Sequence, residues 1–151
     1  MKAKEFELND QEGVLRKLSD YKGKWVLLYF YPKDDTPGCT IEACSLRDNF
    51  HQLEKLGVQI LGVSKDSIKT HKKFADRYHL NFPILSDEST ETIKAYEAWG
   101  KKIFMGHAFE GVLRKSFLID DKGEIVKVYE NVNPTKHAGE ILNDLELLKK
   151  R

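Results

Sequence analysis

Two nearly unbroken apolar runs, Trp25-Val26-Leu27-Leu28-Tyr29-Phe30-Tyr31 and Val58-Gln59-Ile60-Leu61-Gly62-Val63-Ser64, restrict what this chain can fold into more than any other feature. A strand with one wet face alternates apolar and polar residues, whereas consecutive apolar residues mark a strand buried on both faces, as in a helix-covered parallel sheet. Between the runs, residues 40–56 carry Ile41, Cys44, Phe50, Leu53 and Leu56 among polar neighbours, and Gly57 follows as a helix stop. Strand, helix and strand at this spacing predict a right-handed crossover and a parallel pair.

The rest of the chain fills in around that unit. Phe6 and Leu8 suggest a short edge strand, residues 67–78 a helix capped by Asp66 or Ser67, Phe82 to Leu85 an extended piece, and residues 91–99 a further short helix. Ser116 to Ile119 and Ile125 to Tyr129, joined by Asp120-Asp121-Lys122-Gly123, predict an antiparallel hairpin. Ile141, Leu145 and Leu148 have helical spacing within residues 136–149. No repeat, low-complexity tract or linker interrupts the pattern. The expectation is one α/β domain over residues 1–151, a mixed central sheet flanked by helices on both faces.

Composition removes several function classes. Lys and Arg total 25 against 24 acidic residues, so no excess of positive charge invites nucleic acid or an anionic membrane surface, and neither is expected as a partner. No stretch approaches the roughly 20 apolar residues that span a bilayer, and the opening residues lack the apolar segment of a secretion signal. Two cysteines fall short of a secreted disulfide framework. The cytoplasm, with its reduced thiols, is therefore the expected compartment. His51, His71, His79, His107 and His137 are scattered without ligand spacing and no Cys-x-x-Cys occurs, so neither a metal nor a cofactor is expected.

The chemistry concentrates at Tyr31-Pro32-Lys33-Asp34-Asp35-Thr36-Pro37-Gly38-Cys39-Thr40, where a buried strand gives way to a helix. A thiol at a helix N-terminus meets free N–H donors and the positive end of the macrodipole, both of which favour thiolate. A peroxide-reducing thiol needs that thiolate, exposure at a strand end, and donors that hold both peroxide oxygens in line with the sulfur. Pro32 ends the strand and shields the sulfur, Pro37-Gly38 turns the backbone so that N–H groups face the pocket, and Thr36 adds a hydroxyl. Glu42, in the first helical turn, reads equally as an ordinary first-turn acid or as a pocket member that orients a cation.

Pro32-x-x-x-Thr36-x-x-Cys39 resembles the active-site motif of the peroxiredoxins, and the run from Thr36 to Cys44 is similar to their bacterioferritin comigratory protein, or PrxQ, branch. The likeness extends from Phe6–Gly13 to Arg114-Lys115-Ser116-Phe117-Leu118-Ile119-Asp120. The resemblance implies a thioredoxin-like fold and a peroxidatic Cys39, with Pro32, Thr36 and Arg114 completing the pocket. It also implies that Cys44 resolves the Cys39 sulfenic acid to an intramolecular disulfide, which a thioredoxin- or glutaredoxin-type donor reduces. Hydrogen peroxide and organic hydroperoxides are the implied substrates, with no cofactor and a monomeric state.

Residues five apart on a helix have Cα atoms about 8.7 Å apart, whereas a disulfide needs about 7 Å or less. The resemblance therefore demands local unwinding of the helix in each cycle. Competing readings are a metal-binding module that uses Cys39, Cys44 and a histidine, and a redox sensor whose disulfide switches a partner surface. Arg47 reads equally as a source of positive potential or as a surface ion pair. Trp99, Phe104 and Phe109 read as loop packing, with an apolar rim for organic hydroperoxides as the alternative.

Overall fold

The two apolar runs form the centre of the sheet. In a computed structural model that describes residues 1–149, they are β3 (Trp25–Phe30) and β4 (Val58–Ser64), paired in parallel from Trp25 opposite Val58 to Phe30 opposite Val63. Strands β1 (Glu7–Asn9) and β2 (Leu15–Lys17) precede them, and β5 (Ile84–Ser86) follows, parallel to β4. Two hairpins come next: β6 (Trp99–Phe104) with β7 (His107–Val112), then β8 (Lys115–Ile119) with β9 (Ile125–Tyr129). The main sheet has seven strands in the order β2-β1-β5-β4-β3-β8-β9, while β6 and β7 form a separate ribbon. The helices are α1 (Pro37–Asp48), α2 (Phe50–Lys55), α3 (Ile68–Tyr78), α4 (Glu91–Ala95) and α5 (His137–Lys149).

Alternate side chains of the central strands face two cores. Leu27, Tyr29, Tyr31, Ile60, Ile84 and Leu118 pack against Leu46 and Leu53 of the first two helices, Phe74 of α3, and Ile141 and Leu145 of α5. Val26, Leu28, Phe30, Leu61, Val63 and Phe117 pack on the other face with Tyr21, Ile93 of α4 and Tyr96. Each such side chain removed from water contributes about 1.5–3 kcal/mol, so a run apolar at every position is most stable at the sheet centre. Helices cover both faces, as expected, but unequally: four α-helices pack on one face, and the one-turn α4 and the short 3-10 turn Leu18–Tyr21 on the other.

Two expected helices end early. The helix predicted over residues 40–56 is split at Asn49, whose side-chain Nδ2 donates to the Ser45 carbonyl (2.8 Å), the acceptor its own backbone N–H also uses (3.1 Å). A side-chain amide that adds a second donor to a helical carbonyl bends the helix at that point. The helix predicted over residues 91–99 stops at Ala95, and Trp99 instead begins β6. The β6–β7 turn, Met105-Gly106, has positive φ at both residues (52° and 81°), the geometry of a tight hairpin turn. Its first position holds Met rather than the usual Asn or Asp, so the sequence gives little sign of it. At α3 the cap is Ser67, whose hydroxyl accepts from Thr70 N (3.1 Å).

Candidate active site around Cys39

The sheet ladder ends where Tyr31 N donates to Val63 O (3.1 Å), because Pro32 has no N–H to extend it. The following turn is fixed to α3 at two points. Asp34 is buried, accepting from the Tyr31 hydroxyl (2.6 Å) and facing His71 Nδ1 (2.6 Å). Asp35, at φ 59°, accepts from Arg77 Nη1 and the Tyr78 hydroxyl (2.8 Å each). Pro37 then takes the first position of α1, where a missing N–H costs nothing. The first helical bond runs from Thr40 N to Thr36 O (2.8 Å), so the N–H groups of Gly38 and Cys39 have no acceptor within the helix.

Cys39 is the third residue of α1 and only 1% exposed, rather than open to solvent as the sequence suggested. Arg114, between β7 and β8, points Nη2 at the Cys39 sulfur (3.3 Å) and Nη1 at Glu42 Oε1 (2.8 Å). One guanidinium thus bridges a thiol and a carboxyl one helical turn apart. Gly38 makes the approach possible, since a Cβ there would lie 2.9 Å from Arg114 Nη2. Burial opposes the charge on Arg114, yet the Cys39 and Glu42 charges together raise its pKa.

Glu42 behaves oppositely. Although paired with Arg114, it is pushed up to about 7 by burial, with 1% of the residue exposed. Its ion pair serves only one oxygen; Oε2 is buried and has no partner among the described residues, as is the case for the neighbouring Tyr29 hydroxyl. Burial therefore outweighs the cation. Burial, then the charges of Glu42 and Cys39, raise the Tyr29 phenol well above its ordinary pKa, so it stays protonated.

The AhpC/TSA family pattern matches residues 1–128. Peroxiredoxin Bcp of Escherichia coli K12 is 44% identical over 144 residues, covering 95% of this chain and 92% of that protein. Peroxiredoxin Bcp of Bacillus subtilis is 42% identical over 145 residues, with 96% and 92% covered. The crystal structure of a Xylella fastidiosa PrxQ mutant superposes with a TM-score of 0.91 at 34% identity, covering 95% of this chain and 89% of that one. A Xanthomonas campestris bacterioferritin comigratory protein, studied for alkyl peroxide reduction, gives 0.89 at 32% identity, with 94% and 90% covered.

The chain belongs to the AhpC/TSA family, in the Bcp/PrxQ branch of the peroxiredoxins. Its activity is that of a thiol-dependent peroxidase, and its fold is the thioredoxin-like fold of its neighbours.

Of the expected site residues in this peroxiredoxin, Cys39 and Arg114 are in contact, and Pro32 lines a cleft together with Arg114. Thr36 caps α1 from an extended conformation, but its hydroxyl donates to Lys33 O (2.8 Å) instead of facing the sulfur. Cys44 is half-buried on the same intact helix; both cysteines are free thiols. Glu42 is a pocket member, joined to Cys39 through Arg114. Arg47 forms an ion pair with Asp48 (3.0 Å) and donates to Tyr78 O. Trp99 lies under Lys65 and Lys94, and Phe104 and Phe109 project from the ribbon, 67% and 47% exposed; none of the three lines the Arg114 cleft.

Sequence reasoning missed His71 and Lys102. With Asp34 and Asp66, His71 forms a cluster of potential metal-ligand atoms, but both its ring nitrogens are occupied. Nε2 faces the Leu85 carbonyl (2.9 Å) and Nδ1 faces Asp34 (2.6 Å), so the ring ties the turn to β5. The histidine thus braces the turn that carries Cys39. Lys102, on β6, reaches the cleft only because the unforeseen ribbon folds over it. No helix of the described residues is long and apolar enough to cross a membrane.

Proposed function

We propose that Cys39 is the peroxidatic thiol, Cys44 the resolving thiol, and Pro32, Thr36 and Arg114 the residues that shape and charge the pocket. The observation that carries this is the Arg114 Nη2 contact, 3.3 Å from a water-shielded sulfur at the start of α1. A fixed cation and free N–H groups favour thiolate, and the same donors can hold a peroxide oxygen. The thiolate attacks the terminal oxygen of ROOH: an S–O bond forms, the O–O bond breaks, and RO⁻ leaves as ROH after taking a proton. Cys44, as thiolate, then attacks the sulfenic sulfur: the S–S bond forms, the S–O bond breaks, and the leaving hydroxide takes up a proton from solvent to become water. Two electrons from a dithiol donor of thioredoxin or glutaredoxin type return both thiols. Organic hydroperoxides join hydrogen peroxide as substrates, supported by the Xanthomonas relative studied for alkyl peroxide reduction. A monomer working in the cytoplasm completes the proposal.

The test is peroxide consumption with a thioredoxin reducing system, comparing wild type with Cys39→Ser and Cys44→Ser. Cys39→Ser should abolish turnover, and Cys44→Ser should give a single round that ends in trapped sulfenic acid. Turnover that survives Cys39→Ser would overturn the assignment.

A further inference from the structure

We infer that Lys102 is a substrate-anchoring residue, holding the carboxylate of an acid-bearing organic hydroperoxide in the cleft beside Arg114. The inference rests on the peroxidase reading of Cys39 and adds a specificity-determining residue to it.

The cleft holds about 450 Å3 and is lined by Pro32, Lys102, Leu113, Arg114, Lys115, Glu130 and Asn131. That volume lies within the roughly 300–1,000 Å3 typical of small-molecule sites and exceeds what a two-oxygen peroxide alone requires. Arg114 belongs to both cleft and site, so a molecule in the cleft lies beside the guanidinium that touches the Cys39 sulfur. Pro32 and Leu113 offer apolar wall to a carbon chain.

The cations of this cleft are not equivalent. Arg114 is paired with Glu42, and Lys115 with Glu130 (3.2 Å). Lys102 is half-buried, donates only to the Val112 carbonyl (2.9 Å), and among the described residues pairs with no carboxylate. Partial burial of an ammonium is costly unless an anion offsets it. Consistent with that cost, burial and the nearby Arg114 lower the pKa of Lys102, with only the Cys39 charge opposing them. Two of the ammonium's three donors remain available, and a single fixed charge matches one carboxylate at the end of a chain whose peroxide reaches towards Cys39.

The experiment compares a hydroperoxyhexanoate with its methyl ester, which has the same reacting group but no charge. With wild type, kcat/KM should favour the acid over the ester by roughly tenfold, about the strength of one hydrogen bond to a charged group. In Lys102→Gln that preference should fall to about one, chiefly through KM, and Lys102→Arg should restore most of it. The ratio is internal to each variant, so a partly misfolded preparation does not disturb it. An acid-to-ester ratio unchanged in Lys102→Gln, even with both rates reduced, overturns the proposal, as does a wild type that treats acid and ester alike. If wild type consumes neither compound nor hydrogen peroxide, the peroxidase reading fails first and takes this one with it.

Discussion

Replacing Glu42 with Gln should make the protein more stable, and only on the alkaline side. The unfolded chain releases the Glu42 proton near 4.5, whereas the folded protein keeps it until about 7. Between those values the folded state binds more protons than the unfolded one, so stability falls as pH rises. The favourable contribution is complete below 4.5 and is lost as pH passes through about 7. Across that window the loss amounts to about 3 kcal/mol, at about 1.36 kcal/mol per pH unit. Glutamine still accepts from Arg114 through its amide oxygen and has no charge to desolvate. The assay is urea unfolding of the reduced protein, wild type against Glu42→Gln, from pH 4.5 to about 8. The difference in unfolding free energy should grow by about 3 kcal/mol in favour of the variant. His137, whose pKa burial lowers, titrates in both proteins and cancels in the difference. Parallel stability curves would refute the reasoning, because they would mean that Arg114 keeps the buried carboxyl ionised throughout.

Gly38→Ala should slow peroxide consumption by about tenfold, or about 1.4 kcal/mol, while leaving stability nearly intact. The new Cβ would sit 2.9 Å from Arg114 Nη2 and displace the guanidinium from the sulfur, whereas alanine in a first helical turn is no worse than glycine. Equal rates would show that the 3.3 Å contact does not matter. Oxidation to the Cys39–Cys44 disulfide should unwind the first turns of α1, because both cysteines lie within that intact helix. Amide hydrogen exchange across residues 37–48 should therefore accelerate on oxidation, and equal protection in the two states would remove the unwinding step.

Much of this protein is legible in its sequence. The apolar runs at residues 25–31 and 58–64 determined the parallel centre of the sheet, since only burial on both faces stabilises consecutive large side chains. The strand-ending Pro32 and the Thr36-Pro37-Gly38-Cys39 run placed a thiol at a helix start, a relation between neighbours in sequence that local backbone rules decide. What stayed hidden depends on partners far apart in the chain. The ribbon of β6 and β7 lacked the usual turn residues, so Lys102 had no visible route to the cleft. The bracing of Asp34 by His71 spans 37 positions. Glu42 could not be resolved between a surface acid and a pocket member, because the answer lay in Arg114, 72 residues away. The sequence by itself determined the sheet centre and the position of the reactive thiol, because hydrophobic periodicity and helix capping act between near neighbours. Only the tertiary structure decided which charges surround that thiol and how far they are desolvated, because burial and Coulomb interaction depend on distance in space.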